Sequence, residues 1–80
     1  GRVVEKKTKK PIPHALVTLK NNEGIQKSFT VTDDAGGYFM LVEPGAYLFT
    51  VRMPAGSHDD RVYQKRIHTK TGWVAENVKI

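Results

Sequence analysis

Short runs with an apolar residue at every second position recur along most of this chain. Val17 and Leu19 flank Thr18, Tyr38, Met40 and Val42 interleave with Phe39 and Leu41, and Tyr47, Phe49 and Val51 interleave with Leu48 and Thr50. Successive side chains of a strand point to opposite faces, so such runs predict half-buried β-strands. Turn-forming residues interrupt them roughly every 8–12 positions, the rhythm of an all-β sandwich. No window carries a sustained 3.6-residue stripe, and the β-branched and aromatic residues favour strands. The pattern predicts strands over residues 1–5, 15–20, 25–32, 37–42, 46–53, 61–69 and 73–80.

The connections have chemical reasons of their own. Pro11 and Pro13 remove amide donors, so residues 8–13 cannot form a central strand and are expected to cross between layers with Ile12 plugging one end. Asn21-Asn22-Glu23-Gly24 reads as a turn, because Asn and Gly tolerate positive φ. Asp33 can accept bonds from the amides that follow it, with Gly36 supplying the freedom the turn needs. Glu43-Pro44-Gly45 is a tight reversal, and residues 54–60 form the longest polar loop.

One register collects Val3, Ile12, Ala15, Val17, Leu19, Tyr38, Met40, Val42, Tyr47, Phe49, Val51, Tyr63, Ile67, Val74, Val78 and Ile80 as the expected core. It leaves Leu16, Phe39, Leu41, Leu48 and Trp73 facing outwards. Isolated exposed apolar side chains are ordinary, but a contiguous patch marks a docking surface. Phe39, Leu41 and Leu48 are expected to be neighbours, because a tight reversal joins their two strands.

Length and charge narrow the options. Eighty residues make one domain, residues 1–80, in which most apolar side chains must be buried. The chain starts at Gly1 with no initiator Met or signal peptide, and Gly1 is expected to be the boundary of a piece excised from a larger protein. The absence of cysteine excludes disulfides and thiolate metal sites. No apolar run approaches the roughly 18 residues of a membrane span, so no direct membrane insertion is expected. The net charge of +5 is unevenly placed. Arg2, Lys6, Lys7, Lys9 and Lys10 oppose Glu5 at the start, and Arg61, Lys65, Arg66, Lys70 and Lys79 oppose Glu76 at the end. The segment holding Lys6, Lys7, Lys9 and Lys10 could meet an acidic surface polymer. It has no interleaved aromatics, so no nucleic-acid partner is expected.

Three blocks, in order, bring a family into view. They are Pro11-Ile12-Pro13-His14-Ala15-Leu16-Val17-Thr18-Leu19, then Thr32-Asp33-Asp34-Ala35-Gly36-Gly37-Tyr38-Phe39, then Pro44-Gly45-Ala46-Tyr47-Leu48-Phe49-Thr50-Val51. In this spacing they resemble the carboxypeptidase regulatory-like domains, from Gly1 to about Val51. The resemblance implies a seven-stranded antiparallel Greek-key β-sandwich of the transthyretin type. It also implies a non-catalytic accessory module of an extracellular or cell-envelope protein, with an adjacent domain or another protein as partner.

Other chemistries fit less well. His14, His58 and His68 lie in separate segments without paired ligand spacing, so no metal site and no cofactor is expected. Asp33-Asp34-Ala35-Gly36 lacks the alternating oxygens and closing Glu of a calcium loop. Ser28 and Ser57 sit in no nucleophile elbow, and no enzyme constellation is present. The related collagen-adhesin B-type repeats crosslink a first-strand Lys to a last-strand Asn with help from an acid. Asn77 and Lys6 or Lys7 are suggestive, but no acid follows Tyr47 to move the proton. Starch-binding-like modules share the architecture, and carbohydrate binding centred on Trp73 is the alternative reading. A lone Trp is more often an interface anchor.

Overall fold

A computed structural model describes all residues 1–80, and every regular element in it is a β-strand. The strands are β1 (Arg2–Val4), β2 (Leu16–Lys20), β3 (Gln26–Val31), β4 (Met40–Leu41), β5 (Gly45–Arg52), β6 (Val62–Thr69), β7 (Trp73–Val74) and β8 (Asn77–Lys79). The all-β expectation holds, with eight short segments in place of seven strands. The stretch expected over 37–42 pairs regularly only at β4, and the one over 73–80 is broken between β7 and β8.

One layer is a four-stranded antiparallel sheet in the order β3-β2-β5-β6. Its inner face carries Val17 and Leu19 from β2 opposite Val51 and Phe49 from β5. The hairpin into β3 is set by Asn21, whose side-chain oxygen accepts bonds from the amides of Glu23 and Ile25 at 2.9 Å each. Gly24 takes the positive φ that this turn needs.

The facing layer is less regular. Residues 37–42 have one edge shared by two partners. Gly1 and Arg2 pair with Tyr38 and Gly37, while β7 and Gly72 pair with β4 and Val42. β8 then runs along the far side of β1. β1 is therefore a wedge between residues 37–38 and β8, antiparallel to the first and parallel to the second. This corrects the expectation of a wholly antiparallel sandwich. β7 and β8 belong to one run antiparallel to β4, so a strand inserted between them must be parallel to one of its neighbours.

The core between the layers is the expected one. Twelve buried apolar residues form a single cluster, and Phe49, Leu19, Val3, Val17, Val51 and Val78 are its largest fully buried side chains. Val42, Tyr63, Ile67 and Ile80 pack against it while partly buried. Phe49 meets the rings of Tyr38 and Tyr63 at centroid distances of 6.0 and 6.2 Å. The Tyr38 phenol donates to the Glu76 carbonyl at 2.6 Å, and burial pushes its pKa up. Thr32 is a buried polar residue that periodicity did not flag. Its hydroxyl donates to the Ile12 carbonyl at 2.6 Å and accepts from the Ala15 amide at 2.9 Å, which ties the proline crossover to the end of β3.

The turn before residues 37–42 follows from Asp33. One carboxylate oxygen accepts from the amides of Ala35 and Gly37 at 2.9 and 2.8 Å. Gly36, at φ +75°, presents its carbonyl to the Val3 amide at 2.8 Å. A Cβ on Gly36 would stand 2.4 Å from the Val3 carbonyl oxygen, whereas one on Gly37 would meet only the Asp33 carboxylate at 3.2 Å. Gly36→Val is therefore expected to destabilise more than Gly37→Val. The left-handed backbone alone accounts for about 1–2 kcal/mol, and each kcal/mol corresponds to roughly 4–8 °C in Tm at this size. Thermal melts of the two variants check the order, and equal losses would show that Gly36 is not the strained position.

Candidate docking surface

Of the two pairs in the β4–β7 ladder, Leu41–Trp73 is the exposed one. Side chains alternate, so Met40 and Val74 turn into the core while Leu41 and Trp73 turn to solvent. Phe39 lies two residues before Leu41 on the same face. Its ring meets the indole of Trp73 edge to face, with centroids 6.4 Å apart at 67°. Phe39 and Leu41 are each 65 % exposed and Trp73 51 %. Burial of side chains of this size is worth about 1.5–3 kcal/mol apiece, so three together form a cluster that a partner can cover. The turn into β7 is fixed by the Thr69 hydroxyl, which donates to the Trp73 carbonyl at 2.9 Å.

Leu48 does not join them. It lies on β5 opposite Lys20 and Arg66, half-buried on the outer face of the four-stranded sheet. The Glu43–Gly45 reversal carries the chain from one layer to the other. The rule that residues two apart share a face therefore stops there. The outer face around Leu48 holds three exposed apolar residues that sequence reasoning missed, Phe29, Val31 and Val62. In β3 the alternation is clear, but its apolar members point out and Ser28 and Thr30 point in. Val31, Leu16, Arg52 and Val62 line up in one cross-strand row, so this face mixes charge with apolar surface.

The lysine loop is a separate feature at one end of the sandwich. Lys6, Lys7, Lys9 and Lys10 are all exposed. The loop closes through reciprocal backbone bonds of 2.8 Å, from the Glu5 amide to the Lys10 carbonyl and from the Lys9 amide to the Glu5 carbonyl. Lys9 sits at φ 62°, and its ammonium lies against that of Lys79, which lowers its pKa with a smaller contribution from Lys6. Glu5, at the base of the loop, is taken by Arg61 at 2.9 Å, and Arg61 also holds Asp59 at 2.6 Å. This Arg61 cluster ties the 54–60 loop to the end of β1. Residues 5, 59 and 61 are too far apart in sequence for spacing to reveal it.

Groups that could support other chemistry are dispersed. No three His, Cys, Asp or Glu side chains approach closely enough to hold a metal ion. His14, His58 and His68 are exposed and separate, and Asp33 spends its carboxylate on the turn. Asn77 pairs with Arg2, whereas the Lys6 amide bonds the Ile80 carbonyl, so the lysines stand past the residue a crosslink would need. An open groove of about 600 Å³ runs between β6 and the β7–β8 stretch, with Trp73 on its rim.

A family model, the carboxypeptidase regulatory-like domain, matches residues 1–71. The chain belongs to this family. The match continues through β6 to Thr71 and does not fade near Val51. The family is a small regulatory or accessory type of domain without catalytic activity. Comparison with curated proteins and with solved structures returned no match.

The Arg61 cluster gives a pH dependence whose sign follows from its carboxylates. The Arg61 guanidinium holds the Glu5 and Asp59 pKa values below the usual range, with backbone amides adding to the effect. Groups depressed in the folded state stabilise it above their unfolded pKa, near 4, and that contribution is lost as pH falls through the lower folded values. Arg61→Gln is therefore expected to melt below the parent at about pH 6, with the gap closing towards about pH 2. A gap that stays constant over this range would show that the ion pairs do not contribute.

Proposed function

We propose that the chain is a non-catalytic interaction module of a larger exported or cell-surface protein, seated through Phe39, Leu41 and Trp73 against an adjacent domain. The clustering of these three exposed side chains on and beside one short ladder carries the reading. β4 and β7 pair over two residues each, so the chain invests little backbone in holding large apolar groups in water. Covering them removes that cost and gives the module a fixed orientation. The extracellular or cell-envelope setting that the family resemblance implies supports the exported reading. The loop of Lys6, Lys7, Lys9 and Lys10 is a secondary contact for an acidic surface polymer.

Carbohydrate binding at Trp73 is the second reading, favoured by the open groove beside the indole. A sugar ring stacks on a flat aromatic face, and a platform of two needs their faces aligned. Phe39 meets Trp73 edge-on at 67°, which suits a protein side chain wedged between the rings better than a pyranose laid across them.

Hydrogen exchange separates the readings. Amides of residues 38–42 and 73–75 should exchange more slowly in the parent protein than in the isolated chain. The double variant Phe39→Ser with Leu41→Ser should abolish that difference while leaving the isolated fold intact. Equal exchange in both settings would remove the docking reading. Saturable NMR shifts at Trp73 on oligosaccharide titration, lost in Trp73→Ala, would replace it with the carbohydrate one.

A further inference from the structure

β6 is paired on one side only. Its register with β5 runs unbroken from Gly45–Thr69 to Arg52–Val62, and no strand pairs with its other edge. The eight residues Val62–Thr69 contain no proline and no bulge. An edge of this length presents alternate amides and carbonyls to water as a template for another strand. β3 also ends the sheet, but its ladder breaks between Leu19 and Lys20, and β4 packs beside it. Nothing comparable lies against β6.

The groove of about 600 Å³ follows this open edge. Lys65, Arg66 and Lys70 stand along it, and Glu76 is its only carboxylate. Glu76 is already neutralised by Lys65 at 2.9 Å, and both groups stay partly exposed. The edge is therefore a strand template with a strongly basic border, and its rim carries the half-exposed indole of Trp73.

We infer that the β6 edge binds an extended acidic segment of a partner protein, which adds as a further strand and sets its carboxylates against Lys65, Arg66 and Lys70. Strand addition draws affinity from main-chain hydrogen bonds, while alternate side chains decide which sequence fits. One face of the incoming strand continues the outer face of the sheet and meets Arg66. Its other face looks into the groove, where a carboxylate takes the Lys65 ammonium from Glu76. Exchange of one half-exposed ion pair for another changes little energy, so the existing pair does not bar entry. A basic segment would place like charges directly opposite, which destabilises strand pairing. The site shares only Trp73 with the Phe39–Leu41 face, so either can fail without the other.

The test is a titration of the ¹⁵N-labelled chain with the eight-residue peptide Glu-Glu-Val-Val-Glu-Glu-Val-Val, which as a strand carries carboxylates on both faces. Saturable shifts within residues 62–76 and slowed hydrogen exchange of β6 amides are expected. The lysine-for-glutamate peptide should bind at least about tenfold more weakly, as should a peptide methylated on alternate backbone nitrogens. The variant Lys65→Glu with Arg66→Glu should reverse the preference towards the lysine peptide. If that variant does not fold, the two modified peptides on the parent chain decide. The site is overturned by an absence of saturable binding, by shifts confined to the Lys6–Lys10 loop, or by affinity indifferent to peptide charge. Binding that survives backbone methylation, or leaves β6 exchange unchanged, would overturn the strand addition.

Discussion

β1 is bonded along both edges of its three residues, and the second layer of the sandwich is organised by that grip. The Val3 amide donates to the Gly36 carbonyl and the Val3 carbonyl accepts from Ile12, while Gly1 exchanges bonds with Tyr38. On the opposite edge Val4 accepts from the Ile80 amide, and Val3 lies level with Val78 in the parallel ladder. Without β1 between them, residues 37–38 and β8 would leave a gap lined by buried backbone, whose unpaired polar groups cost about 1–3 kcal/mol each. The wedge requires close backbone approach, which explains the missing side chains at Gly1 and Gly36. A Cβ on Gly1 would fall 2.1 Å from the Glu76 carbonyl.

The wedge also positions the docking face. Because β1 occupies the edge of residues 37–38, β7 can pair with that edge only from Met40 onward, and this pairing sets Trp73 opposite Leu41 and within reach of Phe39. Thr32 and Asp33 act just upstream. Thr32 anchors the proline crossover, and Asp33 shapes the turn that delivers Gly36 to Val3. An apolar surface cluster is thus built from short ladders whose geometry is dictated by buried hydrogen bonds.

The parts legible in the sequence are those governed by local rules. The inward residues of β2 and β5 followed from alternation, because both strands lie in the middle of their sheet with one face on the core. The Asp33 turn followed from the chemistry of a short carboxylate next to glycine. Leu48 was misplaced because no local rule says that Glu43–Gly45 changes layers. Phe29, Val31 and Val62 were missed because alternation pairs residues on a face without saying which face is dry. The Arg61 cluster and the Thr32 clasp depend on contacts between distant residues, which neither spacing nor composition encodes. Phe39, Leu41 and Trp73 were all legible as outward-facing. Their meeting in one cluster required the β4–β7 register.

Native-state hydrogen exchange tests the central role of β1 most directly. The amides of Val3, Ile12, Tyr38 and Ile80 are all bonded across or beside that strand. If β1 is the element on which the second layer depends, these four should exchange only through global unfolding, with the same free energy as the slowest amides of β2 and β5. Exchange of Tyr38 and Ile80 through local opening, while β2 and β5 remain protected, would contradict the account and reduce β1 to a frayed terminal strand.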